Sequence, residues 1–316
     1  MKTVLVTGGA GAIGSQLVRR LSLSHRVLVL DDLSSGFLDN LQGLPVTFRR
    51  ASVADDAALR ELFAERPALV FHLAARFANQ RSIEDPRDDL SVNGLGTLKI
   101  LQCALEVGVE RFVYTSSSSV YTDAPQPRSE TAHDLSSQTP YAITKFLGEQ
   151  YVRFFHRHYG LPAVALRLFN SYGPGEYPGL YRNVIPNFFY RALRGEPLII
   201  TGTGDETRDF TYVDDTITAI LLAAARTEAV GKTFNVGTGT EVRIGELAEL
   251  IREISGTNST IAFHPRRRWD RVSRRRADIT LISQTLGFQP AVDLRTGLKR
   301  THDWFLENQI AARQWP

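Results

Sequence analysis

The chain has 316 residues, 43% of them hydrophobic and 22% charged, with a formal net charge of +3. That composition excludes a disordered or fibrous chain, and so small a net charge gives no general field for nucleic acid, although arginines bunch between Arg266 and Arg276. The lone cysteine, Cys103, excludes an internal disulfide, and no apolar run approaches the roughly 20 residues of a membrane span; the expectation is a soluble cytoplasmic protein with no metal, membrane or nucleic-acid partner.

Met1-Lys2-Thr3-Val4-Leu5-Val6 reads as the start of a strand, not as a secretory leader. Thr3 to Thr7 is a short β-branched run, Gly8-Gly9-Ala10-Gly11-Ala12-Ile13-Gly14 follows, and an amphipathic helix then carries Leu17, Val18 and Leu21. Glycines at 8, 11 and 14 allow a tight turn that brings backbone against a diphosphate at a helix N-terminus, which makes Gly8, Gly11, Ala12, Ile13 and Gly14 predicted cofactor contacts. A second strand, Val27 to Leu30, ends in Asp31-Asp32. A carboxylate there accepts hydrogen bonds from a ribose 2′-hydroxyl and repels a 2′-phosphate, which favours NAD over NADP.

The alternation continues with a strand at Val46 to Phe48, a helix at Asp55 to Glu65 and a buried strand at Ala68 to His72. Small residues past that strand, Leu73-Ala74-Ala75, let backbone approach a cofactor. Pro86 to Val107 predicts one long helix with Asn93 near its start. Arg111 to Thr115 is the fifth strand, and its end delivers Ser116-Ser117-Ser118-Ser119 to the carboxyl edge of the sheet, where open α/β folds place their ligands. Tyr141 and Lys145 follow on a helix expected to reach Tyr159. Four residues apart, they share a helix face. A free phenol titrates near ~10, and a desolvated cation beside it lowers that value towards what a base near neutrality needs.

Ala163 to Phe169 is the sixth strand, and from Asn170 a turn-rich loop opens a second lobe. A helix through Phe188 and Leu193, a strand at Leu198 to Thr201, a helix at Val213 to Arg226, a strand at Thr233 to Val236 and helices near Ile244 to Ile254 and Leu294 to Asn308 complete the pattern. The fold class expected is α/β, a doubly wound parallel sheet with a smaller, mixed C-terminal lobe. Residues 1–170, with 211–247 returning to them, form the dinucleotide-binding domain, and 171–210 with 248–316 form the substrate lobe.

These residues carry a resemblance over nearly the whole chain. Thr7 to Gly14, Leu30-Asp31-Asp32-Leu33-Ser34-Ser35-Gly36, His72-Leu73-Ala74-Ala75, Ser116 to Tyr121, Tyr141 to Lys145, Leu166-Arg167-Leu168-Phe169-Asn170 and Arg208-Asp209-Phe210 together resemble the extended short-chain dehydrogenase/reductases of the NAD-dependent nucleotide-sugar epimerase and dehydratase family. The resemblance implies Tyr141 as acid/base, Lys145 on the nicotinamide ribose and Ser117 on the sugar hydroxyl. It also implies NAD contacts from Asp31, Asp32, Ser34, Ser35, Gly36, Ser52, Val53, Leu73, Ala74, Ala75 and Asn93. Substrate contacts are implied for Ser117, Ser118, Asn170, Asn183, Val184, Arg208 and, for a second phosphate, Arg268 before Arg271. A homodimer through the two long helices, around Asp88 to Glu106 and Tyr141 to Tyr159, is implied as well.

Within such a family, dehydratases carry an acidic pair directly after the serine or threonine, and decarboxylases a glutamate at its second position. Here Ser118 and Ser119 stand there, and a hydroxyl does not serve as a carboxylate base near pH 7. Oxidation at C4 followed by hydride return, a 4-epimerisation of a UDP-hexose or UDP-uronate, is the expectation. A dehydratase or decarboxylase using an acid from elsewhere is the alternative, and a non-catalytic NAD-binding regulator is a further one. Phe77 stands where many 4-epimerases carry a lysine, Arg182 is a candidate clamp for a uronate carboxylate, Arg274 to Arg276 read as a solvated face, and His133 reads as a loop residue.

Overall fold

The computed structural model describes residues 1–124, 126–132, 138–270 and 272–315. Arg271 and His133 lie outside the described residues. The elements run β1 Thr3–Thr7, α1 Ala12–Leu21, β2 Arg26–Asp31, β3 Val46–Arg50, α2 Asp56–Ala64, β4 Leu69–His72, α3 Asn79–Glu84, α4 Pro86–Asp89, α5 Thr97–Val107, β5 Arg111–Ser117, α6 Pro140–Tyr159 and β6 Ala163–Leu168. The remainder is β7 Ser171–Tyr172, α7 Val184–Leu193, β8 Leu198–Thr201, β9 Thr207–Arg208, β10 Thr211–Tyr212, α8 Val213–Ala225, β11 Thr233–Val236, β12 Val242–Arg243, α9 Ile244–Ser255, β13 Ile261–His264, β14 Arg274–Arg275, α10 Thr280–Leu286 and α11 Leu294–Glu307.

A seven-stranded parallel sheet in the order β11-β6-β5-β4-β1-β2-β3 forms the centre. Both faces are covered, so its strands are near-continuous apolar runs. Alternation along each strand sends Val4, Val6, Val27 and Val29 into one core and Leu5, Leu28 and Leu30 into the other. This is a doubly wound sheet, as expected. The ligand edge is at its carboxyl ends, where β1, β4 and β5 lie side by side.

Two differences from the sequence expectation bear on the site. The helix expected from Pro86 to Val107 is interrupted: a π-helical stretch, Leu90–Gly96, joins α4 to α5 and carries Asn93 in its wide turn. The second lobe contains the expected strand β8, paired with an unexpected β13, and the two-residue strands β7, β9, β10, β12 and β14, in the sheets β10-β7 and β12-β9-β14, that no periodicity reveals. Two-residue strands are too short to show a period of two. Among the described residues, no helix is long and apolar enough to cross a membrane.

Candidate active site

One cleft of about 860 Å³ runs across the carboxyl edge of the sheet and between the lobes. Gly8 takes φ +71°, and a Cβ there would sit 2.6 Å from the Ala74 amide nitrogen. A Cβ on Gly14 would fall on the Gly8 carbonyl oxygen. Backbone therefore packs against backbone where β1 turns into α1. The N-cap residue of α1 is Gly11, which offers no side chain to the first-turn amides, so these donors face an incoming anion.

Next along the wall comes the end of the cleft beyond β2. Asp31 is buried, and its two oxygens accept from the Ala10 amide at 2.9 Å and the Leu33 amide at 2.8 Å. Burial holds its carboxyl above the usual range. Asp32 accepts from Arg76 Nη1 at 2.7 Å, and Arg76 also donates to Ser34 and, through Nε, to Asp88 at 2.6 Å. Ser35, Gly36, Ser52, Val53, Leu73, Ala74 and Ala75 line the same end. The cradle, the uncapped helix end and the carboxylates fit a dinucleotide. Asn93 lies behind the lining: Arg76 N donates to its Oδ1 at 2.7 Å and its Nδ2 donates to Asp89 at 2.9 Å. It braces the Arg76 backbone, and reaches the cleft only through that residue.

At the centre, β5 ends in Ser117 and α6 begins at Pro140, one residue before Tyr141. Thr139 caps that helix, its Oγ1 accepting from the Ala142 amide at 3.2 Å, with Pro140 at the first helical position. The Ser117 hydroxyl, near the Tyr141 phenol, is the one influence favouring the phenolate. Burial nevertheless pushes Tyr141 up to about 12, opposite to the lowering expected from Lys145. The reason is geometric. Lys145 Nζ stands 4.6 Å from the centroid of the Tyr114 ring, and burial brings its own pKa down to about 8 despite the charges of Asp89 and Glu149. A protein cation close enough to the phenol to outweigh desolvation is missing among the described residues. Phe77 packs edge-on against Tyr141, centroids 6.0 Å apart.

Ser118, Asn170, Asn183, Val184 and Arg208, the substrate contacts expected from the sequence, also line the cleft. Asn183 Nδ2 donates to Glu176 Oε1 at 2.6 Å, and Glu176, buried, is pushed up to about 7. Arg268 does not line the cleft; its neighbours Arg267 and Trp269 do. Arg182 donates to the Ser35 carbonyl at 2.6 Å and lies 5.7 Å from the Phe37 ring centroid, so its guanidinium is held against the segment that follows β2. Sequence reasoning missed Arg76, Glu176 and Arg275. For Arg275 the sequence carried no signal: strand neighbours point to opposite faces, but only the structure shows Arg274 exposed and paired with Glu241 and Arg275 on the cleft side.

A family model described as "NAD dependent epimerase/dehydratase family" matches residues 4–237. A UDP-glucose 4-epimerase of Mycolicibacterium smegmatis is 38% identical over 308 residues, covering 95% of this chain and 97% of that protein. The epimerase Mth375 of Methanothermobacter thermautotrophicus superposes with a TM-score of 0.97 at 46% identity, covering 99% and 95% of the two chains. A UDP-glucose 4-epimerase of Thermus thermophilus, solved in complex with NAD, superposes with a TM-score of 0.90 at 33% identity over 96% and 99%.

Proposed function

The chain belongs to the NAD-dependent epimerase/dehydratase family, and from that premise we propose that it is a nucleotide-sugar 4-epimerase acting on a UDP-hexose or UDP-uronate. NAD, the family's cofactor, supplies when bound a hydride acceptor that is also the later donor, and a positively charged nicotinamide ring. The residues that would hold it are the Gly8 to Gly14 turn, Asp31, Asp32, Ser34 to Gly36, Ser52, Val53, Leu73 to Ala75 and Lys145.

This chain's own groups then have distinct tasks. Tyr141 takes the proton of the sugar 4-hydroxyl and later returns it, with Ser117 holding the oxygen between them. The phenol is buried and high in the chain alone, so it becomes a base only when a further positive charge lies against it. Lys145, half-way between charged and neutral near pH 8, is kept in place by the ring of Tyr114 and by the carboxylates of Asp89 and Glu149. Asn170, Asn183 and Arg208 supply donors for the sugar and diphosphate.

The observation that carries the reading is the constellation of Ser117, Tyr141 and Lys145 with hydroxyls, not carboxylates, at positions 118 and 119. Carboxyls that line the cleft elsewhere are engaged: Asp32 with Arg76, Asp270 with Arg208, and Glu206 with the amides of Thr203 and Gly204. Glu176 has one oxygen without a partner, but its loop is held to α1 and Asn40, where Gln16 donates to the Pro174 carbonyl and Asn40 to that of Gly175. Incubation with UDP-glucose, UDP-N-acetylglucosamine and UDP-glucuronate, followed by chromatography, tests the proposal. A 4-epimer is expected; a 6-deoxy-4-keto product or released carbon dioxide would sink it.

The protein is further proposed to work as a cytoplasmic homodimer. Leu90 and Leu95 on the 86–107 helical run and Ile143, Phe154 and Tyr159 on α6 are 47–53% exposed, a larger apolar display than a free surface helix needs.

A further inference from the structure

This inference rests on the reading that the substrate is a nucleotide sugar. β14 runs parallel to β9 with Arg275 opposite Arg208, and both side chains line the cleft. Arg208 is compensated, its Nη2 lying 3.3 Å from both Asp270 oxygens while Nη1 donates to the Thr207 carbonyl at 2.8 Å. Arg275 differs. Among the described residues it forms no ion pair, and its Nε is buried with no hydrogen-bond partner. Burial, reinforced by the like charge of Arg208, pulls its pKa down to about 9. A guanidinium with no ion pair and a buried donor left unmet is a costly arrangement unless a ligand anion answers it.

The strand also fixes which part of a ligand this cation meets. Arg274 N donates to Asp123 Oδ1 at 2.7 Å, and Arg128 N donates to the Arg276 carbonyl at 2.8 Å. Ala277, just beyond, packs with Val120, Tyr121 and Phe169. β14 is therefore stitched on one side to β9 and on the other to the segment that continues from Ser117. Arg275 thus lines the cleft between β9, which carries Arg208, and the segment that continues from Ser117; on the proposed reading, a nucleotide sugar with its diphosphate at Arg208 and its C4 hydroxyl at Tyr141 lays its sugar ring along that interval.

We propose that Arg275 is a specificity-determining residue that binds an acidic group on the sugar itself, so that the preferred substrate is a nucleotide uronate whose carboxylate meets the guanidinium fork. A carboxylate suits that fork in a bidentate geometry, which a neutral hydroxymethyl group does not.

Isothermal titration of the NAD-loaded protein with UDP, UDP-glucose and UDP-glucuronate tests this. The uronate is expected to bind about tenfold to a hundredfold more tightly than UDP-glucose, the size of a charge-assisted hydrogen-bonded pair. Arg275→Met should abolish that preference and leave UDP affinity unchanged, and Arg275→Lys should restore part of it. Equal affinity of the wild-type protein for the two sugars overturns the proposal. So does an equal loss of UDP affinity in Arg275→Met, which would make the residue a diphosphate ligand. The wild-type comparison decides even if a variant does not fold. Because binding is read and not turnover, a protein that held the uronate this way and then decarboxylated it would defeat the epimerase reading while leaving this inference standing.

Discussion

Arg167 on β6 and Glu149 on α6 form a bidentate ion pair, Nε to Oε1 at 2.9 Å and Nη2 to Oε2 at 2.8 Å, almost wholly out of solvent directly behind the serine cluster. Ser116 donates to Glu149, Arg167 Nη1 donates to the Tyr121 hydroxyl at 2.7 Å, and that hydroxyl donates to Asn235 at 2.8 Å. One network thus locks α6 to β5, β6 and β11, and with it the position of Tyr141 relative to Ser117.

Breaking that pair on one side leaves a buried charge uncompensated. Arg167→Met is expected to lower stability by about 3–5 kcal/mol, read as the midpoint of denaturant unfolding. The double variant Arg167→Met, Glu149→Leu should recover a large part of the loss, because the stranded carboxylate is gone.

Removing the phenolic oxygen removes the acid/base without disturbing the cofactor cradle. Tyr141→Phe is expected to lower turnover about a hundredfold to ten-thousandfold, with NAD content of the purified protein unchanged. Full turnover by this variant with every candidate sugar would take the acid/base role away from Tyr141.

The cradle has its own test. Gly14→Ala places a methyl group on the Gly8 carbonyl oxygen, so the turn must open or the helix must shift. The expected result is protein that folds with little or no NAD, measured by the nucleotide released on heat denaturation.

Glu176 gives a pH signature. Its folded pKa, about 7, lies above the ordinary 4.5 because burial disfavours the charged form. The folded state therefore holds the proton more tightly, and this contribution is complete below pH 4.5 and disappears as pH rises through 7. Glu176→Gln, which mimics the protonated group, should match the wild type near pH 4 and exceed its stability by roughly 2–3 kcal/mol near pH 8, as thermal unfolding at the two pH values would show.

If α6 and the 86–107 run pair between copies, a charge in the apolar patch prevents it. Phe154→Asp combined with Ile143→Asp is expected to convert a dimer into a monomer in sedimentation velocity, while far-ultraviolet circular dichroism stays unchanged. A wild-type protein that sediments as a monomer at all concentrations would remove the dimer proposal.

What the sequence determined by itself was everything carried by neighbours along the chain. The β-branched run before Gly8, the three-residue spacing of the glycines, the Thr139-Pro140 start of α6 and the four-residue spacing of Tyr141 and Lys145 are local, and local sterics and hydrogen bonding fix their consequences. Only the tertiary structure decided which arginines of the 266–276 run enter the cleft, Arg267 and Arg275; for Arg275, β14 is two residues long and takes its orientation from hydrogen bonds to β9 and to Asp123, distant in the chain. It also decided the direction of the Tyr141 pKa, since spacing puts Lys145 on the same face, but burial and the ring of Tyr114 determine how far its charge reaches.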